Sequence, residues 1–326
     1  MSALPAPTEP ELAVSVILPT HDRCRAVAAV VRALLADDVT GSEVVVVDDG
    51  SSDGTLAALQ ALAREDSRVV VVHQDNAGKR AANATATARA RGRVLLFLDD
   101  DVLPEPGLLA GHVAAHAERD DLVVVGYMPT VVPRPVTGAA FATVLYAEEY
   151  EGRCGLYEAD PADVLQHLWM GNVSLTRAGY ERAGLARLEG FSFRHEDRDI
   201  GLACRRAGLT GVFDRRLGAT HQHSRTVDQF VRDCVQQGAG RAALAQRHPG
   251  AAETGVEELA AGIPAPLVAL VRASRRERVR RPLTAALTAA LRVATRLPVV
   301  QPALLVARLL RRVEHQHGML QQLRSS

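Results

Sequence analysis

Val94–Asp101 reads VLLFLDDD, five apolar residues closed by three consecutive carboxylates. A strand buried on both faces reads as an unbroken apolar run, and ligands of open α/β sheets sit beyond the carboxyl ends of the strands. Three adjacent acids repel one another, so this strand end calls for a cation. A divalent metal carrying a phosphorylated ligand has the charge and the oxygen preference to answer it.

Working outward, strand and helix patterns alternate through the first hundred residues. Apolar runs at Val14–Leu18, Glu43–Val47, Arg68–Val72 and Val94–Leu98 read as strands. Helical spacing at Cys24–Ala36, Thr55–Arg64 and Lys79–Arg91 separates them. This βαβαβαβ order predicts a mostly parallel sheet with helices on both faces. Leu122–Tyr127, Asn172–Thr176 and Thr210–Phe213 read as further strands, Gly138–Tyr150 and Asp197–Ala207 as helices, and Pro129–Pro135 as loop. From Thr226 the pattern is helical, with breaks at Pro249, Pro264, Pro282 and Pro298. No fixed-period repeat is present. The expected division is a flexible tail over residues 1–12, an α/β domain over 13–225, and a helical region over 226–326.

The second strand also ends in acids, in EVVVVDDGSSDGT, with Asp48 and Asp49 at its carboxyl end and Asp53 placed to cap the next helix. Asp49 reads either as part of a turn or as an acceptor for a base or ribose. A dinucleotide dehydrogenase would need a glycine-rich turn after the first strand, where this chain has PTHDRC. A haloacid-dehalogenase-type phosphatase would need a lysine downstream of its aspartates, and Lys79, the single lysine, lies upstream.

An apolar share of 47% supports a substantial core. Formal charge is zero, but residues 265–326 carry twelve arginines against Glu277 and Glu314, a net of +10, leaving −10 on residues 1–264. Four cysteines show no CxxC pair, and the amino terminus has no basic and apolar leader pattern; both fit a reduced, cytoplasmic protein. The most apolar long stretch, Pro282–Leu310, is interrupted by Arg292, Arg296, Pro298, Pro302 and Arg308, so no spanning helix is expected.

Taken in order, VSVILPTHDR, VVVVDDGSSDGT, NAGKRAANATATARARG, VLLFLDDDVLPEPG, WMGNVSLTR, FSFRHEDRDIGLACRRAG and GATHQHS resemble the family 2 glycosyltransferases over roughly Val14–Ser224. The resemblance implies a GT-A fold: a Rossmann-like, mostly parallel mixed sheet with helices on both faces, here followed by a C-terminal helical extension. The nucleotide-binding half would span about 13–125 and the acceptor half about 126–225. It implies an inverting, metal-dependent transfer from a nucleotide-diphosphate sugar, by family prior a UDP-sugar, to an acceptor hydroxyl. Pro19, Thr20 and Asp49 would then hold the base, and Asp99 the ribose. Asp101 would ligate Mn²⁺ or Mg²⁺, with His221, favoured over His223, completing the shell; imidazole suits manganese better than magnesium. Lys79 and Arg80 read either as charge support for the diphosphate or as a solvated helix start. Asp197 would be the general base, with Glu196 as its substitute if the register is off by one, although acids at a helix start are favoured by the dipole alone. Trp169, Gly171 and Asn172 would line the acceptor side, Trp169 equally serving as core. Two readings of other classes stay open: a nucleotidyltransferase, whose glycine-rich loop PTHDRC lacks, and a non-catalytic nucleotide-sugar binding protein.

The basic C-terminal segment supports three readings. It is a helical subdomain or oligomer surface with solvated arginines, an amphipathic segment on an anionic membrane, or a nucleic-acid binder; the last lacks interleaved aromatics and is not expected.

Overall fold

The computed structural model describes residues 12–187, 195–250 and 264–325. The tail expected over 1–12 lies outside them except for Leu12, which opens the first strand. The described residues group into two units. One gathers residues 12–129, 152–187 and 200–222, and the other residues 130–151, 195–199, 223–250 and 264–325. The division is therefore not the linear one expected at 225, because 130–151 and 195–199 associate with the C-terminal helices.

The first unit is built on one eight-stranded sheet in the order β3-β2-β1-β4-β7-β6-β8-β5. The strands are β1 (Leu12–Thr20), β2 (Ser42–Asp49), β3 (Val69–Gln74), β4 (Gly92–Leu98), β5 (Val102–Pro104), β6 (Leu122–Tyr127), β7 (Asn172–Thr176) and β8 (Thr210–His221). β1 pairs in parallel with β2 and β4, and β2 with β3, whereas β7 runs antiparallel to both β4 and β6. The parallel strands β1 to β4 are those the alternating pattern predicts, and antiparallel β7 gives the mixed sheet that the family resemblance implies. Helices α1 (Cys24–Ala36), α2 (Thr55–Glu65) and α3 (Lys79–Arg89) connect the parallel strands. On α1, Val27, Val30, Val31 and Leu34 recur at helical spacing and are buried. Ile17, Val45, Leu95, Phe97, Val123 and Val173 form the sheet's contribution to a core that also takes in Ala82 and Ala86 of α3. Each such large side chain, once fully buried, stabilises the fold by about 1.5–3 kcal/mol. Pro19, which has no amide hydrogen, sits where β1 has ceased to pair with β4, the last matched residues there being Ile17 and Phe97.

Several short elements carry too little pattern to be read from the sequence, among them the helices Asp163–Gln166 and Arg177–Arg182 and two that border the site. β5 has only three residues, and α4 (Leu108–Ala115) follows directly after Gly107. β8 runs on to His221, past the Phe213 at which its apolar pattern stops. It pairs in parallel with β6 as far as an irregularity at Gly126/Tyr127, and then antiparallel with β5. Its charged middle, Asp214-Arg215-Arg216, masks the strand from a hydrophobic-pattern reading. Arg215 nonetheless lies over the Tyr127 ring at 4.6 Å.

In the second unit a helix begins at Phe141 and another spans Val227–Arg247, opened by a Thr226–Gln229 capping box. Helices Ala265–Ala273, Glu277–Ala294 and Gln301–Ser325 follow. Phe141 and Phe230 meet edge to face at 5.2 Å in a core with Leu291, Leu304, Ala307 and Leu310. Gly238 of helix Val227–Arg247 and Gly318 of the last helix let these two backbones approach until a Cβ on either would collide with a backbone carbonyl of the other, that of His315 or of Val235.

Candidate functional site

The parallel register aligns the carboxyl ends of β1, β2 and β4. Thr20 pairs with Asp48, and the three acids Asp99–Asp101 continue β4 on the other side of β1. The acids go three ways. Asp99 takes the Lys79 ammonium at 2.5 Å, and its amide donates to the Gly171 carbonyl at 3.2 Å. Asp100 accepts from the Thr20 hydroxyl at 2.7 Å. Asp101 meets Arg23 at 3.1 Å through one oxygen and His221 at 3.4 Å through the other. The repulsion anticipated in the sequence is thus answered by protein cations, and Arg23 was not foreseen among them. A signal existed: β1 neighbours β4, so the loop Thr20–Arg23 had to lie beside the acids.

Environment separates two of these carboxyls. Burial pushes Asp100 up to about 6, with the charges of Asp101 and Asp99 adding to the rise against the Thr20 hydrogen bond and Arg23. Burial would also raise Asp101, but the hydrogen bond and charge of His221, with Arg23 and Lys79, outweigh it and hold the group at about 2. Both are anions at neutral pH, but Asp101 alone keeps its charge as the pH falls through the mildly acidic range. A cleft of about 230 Å³ opens beside them, lined by Arg25, Ala26, Ala29 and Val30 of α1 and by Asp100, Asp101, Leu103 and Gln222.

His221 reaches Asp101 because β5 pairs antiparallel with β8, matching Val102 to His221, while the Gln222 amide donates to the Asp101 carbonyl at 2.9 Å. The 3.4 Å between imidazole nitrogen and carboxylate oxygen suits two neighbouring ligands of one ion with metal–ligand bonds of about 2.1 Å. Among the described residues no cluster of three His, Cys, Asp or Glu side chains forms a metal cage. A two-ligand site leaves positions for phosphate oxygens and water, which is how magnesium-like ions are commonly held. The residues fit the ion.

Asp49 is buried, and its carboxylate accepts from the Ala77 and Gly78 amides at 2.9 and 2.8 Å and from Gln74 at 2.7 Å. It shapes the loop leading into α3. Gly50 is required beside it: φ is +74°, and a Cβ would lie 2.7 Å from the Asn76 amide nitrogen. Arg80, at the start of α3, has one terminal nitrogen enclosed without a hydrogen-bond partner. Trp169 is half-buried. Gly171 packs against the acids, since a Cβ there would lie 2.7 Å from the Met128 sulfur and 3.5 Å from Asp99 Oδ2.

Asn172 requires a correction. It is 1% exposed and does not present its amide to an acceptor: Nδ2 donates to the Leu217 carbonyl at 3.0 Å, and Oδ1 lies 2.9 Å from His112 Nε2. It cross-links β7 to β8 and α4. The other ring nitrogen of His112 lies 2.8 Å from the Ser174 hydroxyl, which also meets His116 at 2.8 Å. Burial, with His116 nearby, depresses His112 from 6.5 to about 4. A histidine kept neutral in the fold contributes stability that is complete above about 6.5 and is lost as pH falls toward 4. We expect urea-unfolding free energy to drop in that window by on the order of 3 kcal/mol from this group. His112→Gln should flatten the drop; an unchanged profile in the variant would show that another group titrates.

Glu196, Asp197 and Asp199 occupy the first turn of the helix Glu196–Arg206, as the sequence indicates. His195 precedes them in a left-handed conformation, φ 85°, unusual for a residue with a Cβ. The rest of the motif, residues 191–194, lies outside the described residues. Asp199 is fully buried, with His248 at 2.6 Å and Arg247 at 3.3 Å, so it anchors the start of the helix. Glu196 and Asp197 belong to the second unit, whereas Lys79, Asp99, Asp101, Gly171 and His221 are gathered in the first.

Residues 15–138 match the model of the glycosyl transferase family 2, and the fold of the chain is of the GT-A kind. It is 37% identical over 84 residues to the uncharacterized glycosyltransferase YfnE of Bacillus subtilis, covering 26% of this chain and 21% of that protein. It is 28% identical over 114 residues to the glycosyltransferase GlyG of Streptococcus pneumoniae, covering 35% and 38% respectively. The chain thus matches well under half the length of these curated relatives. Among solved structures, the mannosyltransferase PcManGT from Pyrobaculum calidifontis in complex with GDP-Man and Mn²⁺ aligns with a TM-score of 0.54 at 19% identity, over 92% of this chain and 87% of that one. Residues 1–349 of S. aureus TarS in complex with UDP-GlcNAc align at 0.50 and 17%, over 91% and 90%.

Proposed function

We propose that the chain is an inverting glycosyltransferase that moves a sugar from a nucleotide-diphosphate sugar, a UDP-sugar by family prior, to an acceptor hydroxyl with the help of a divalent ion. The observation that carries this is the approach of Asp101 and His221 to 3.4 Å at the carboxyl end of the sheet. Asp101 and His221 hold Mn²⁺ or Mg²⁺, which when bound neutralises charge on the departing nucleotide diphosphate. Lys79 and Arg80 add positive charge at the start of α3, where helix amides also favour phosphate. Pro19, Thr20 and the loop held by Asp49 frame the base, and Asp99 takes the ribose hydroxyls. On the acceptor side, half-buried Trp169 contributes surface, and Gly171, itself buried, packs against Asp99. Asp197 accepts the proton of the attacking hydroxyl, with Glu196 its substitute. The neighbours with GDP-Man and Mn²⁺ and with UDP-GlcNAc support the donor class.

Titration calorimetry of UDP and GDP with manganese and with EDTA tests the ion's part. At least tenfold tighter binding of one of them in manganese is expected; equal affinity under both conditions would reject the metal site.

A further inference from the structure

Five of the eight large apolar side chains exposed among the described residues fall in two short stretches of the second unit: Val131 and Val136, and Val293, Leu297 and Val299. The structure joins these stretches. The Gly138 amide donates to the Leu297 carbonyl at 2.9 Å, and Gly138 packs so closely on the Ala294 carbonyl that a Cβ could not be accommodated. The loop before Gly138 and the turn between the last two helices therefore form one surface feature. Val293 is 60% and Val299 52% exposed, a degree of apolar exposure that marks a contact surface when clustered.

We propose that this feature docks on an anionic lipid bilayer, its valines and leucine entering the headgroup boundary and Arg134 and Arg296 binding lipid phosphates. Charge selects this occupant. Neither residues 122–147 nor residues 278–313 contain an acid. The arginines beyond the turn are paired, Arg292 with Asp228 at 2.6 Å and Arg308 with Glu148 at 2.7 Å. Arg134 and Arg296 are exposed and, among the described residues, have no carboxylate partner. A second copy meeting this face through a two-fold contact would set the same arginines against each other. Neither 131–136 nor 293–299 carries an aromatic side chain, so stacking on bases is not available at this feature. Among the described residues no helix is long and apolar enough to cross a membrane, so the contact is interfacial. The arginine stems can lie along the apolar surface while their guanidinium heads stay at phosphate level.

Co-sedimentation of the full chain with vesicles of phosphatidylcholine alone, and with phosphatidylglycerol added, tests the assignment. The chain should pellet with the anionic vesicles only. Arg134→Ala and Arg296→Ala should each weaken binding about fivefold, and Leu297→Asp with Val299→Asp should abolish it. If the aspartate variant fails to fold, the arginine variants still decide. Equal pelleting with both vesicle types, no pelleting, or full binding by the variants would overturn the proposal. So would a dimer in solution that the aspartate substitutions split without any vesicle binding.

Discussion

Replacing Asp101 by alanine is expected to remove manganese-dependent binding of the nucleotide diphosphate and to lower turnover roughly 10³-fold. A cation that neutralises a departing diphosphate supplies several kcal/mol of transition-state stabilisation, and about 4 kcal/mol corresponds to that factor. Asp101 is the member of the triad suited to the task. It is held at about 2 by His221, Arg23 and Lys79 despite its burial, so it is an anion throughout the working range, whereas its neighbour Asp100 is pushed up to about 6 and tied to Thr20. His221→Ala should weaken manganese binding without abolishing it, because water can replace a single imidazole more readily than a carboxylate charge can be replaced. Calorimetry with manganese and released-nucleotide assays would read both variants. Turnover within tenfold of wild type for Asp101→Ala would show that the ion, if bound at all, is held elsewhere.

Asp197→Asn should reduce turnover by about 10²–10⁴-fold, the usual contribution of a general base, while nucleotide affinity in manganese stays within about twofold. Asparagine keeps the size and the hydrogen-bonding edge of the side chain but cannot accept the proton. The split between turnover and binding separates this role from a structural one. Asp199, fully buried against His248 and Arg247, offers the contrast: its loss should appear first as a lower melting temperature. If Glu196→Gln removes turnover and Asp197→Asn does not, the proton acceptor is Glu196.

Where side-chain chemistry and secondary structure coincide, the sequence was readable. The run VLLFL followed by three acids marked β4 and its strand-end carboxylates, and the periodicities of Cys24–Ala36, Leu122–Tyr127 and Asn172–Thr176 matched α1, β6 and β7 residue for residue. Asn172 shows where motif reading fails. The residue lies in WMGNVSLTR beside a stretch assigned to the acceptor, yet strand alternation turns its side chain inward to His112 and Leu217. Arg23 shows the reverse case: a loop residue of no distinctive pattern becomes a partner of Asp101 because β1 and β4 are neighbours.

From the order of its residues alone, this chain determined an alternating α/β sheet with carboxylates at its strand ends, because apolar periodicity and acid clusters are local properties. That His221 meets Asp101 is implied only by the motif resemblance, and the physical cause of the meeting lies in the tertiary structure. That meeting depends on β5, three residues long, pairing with the end of a strand whose charged middle conceals it, and two segments more than a hundred residues apart have no local signal of being partners. The same holds for the apolar feature at Val136 and Leu297, since each stretch alone is an ordinary loop and only the bond from Gly138 makes them one surface.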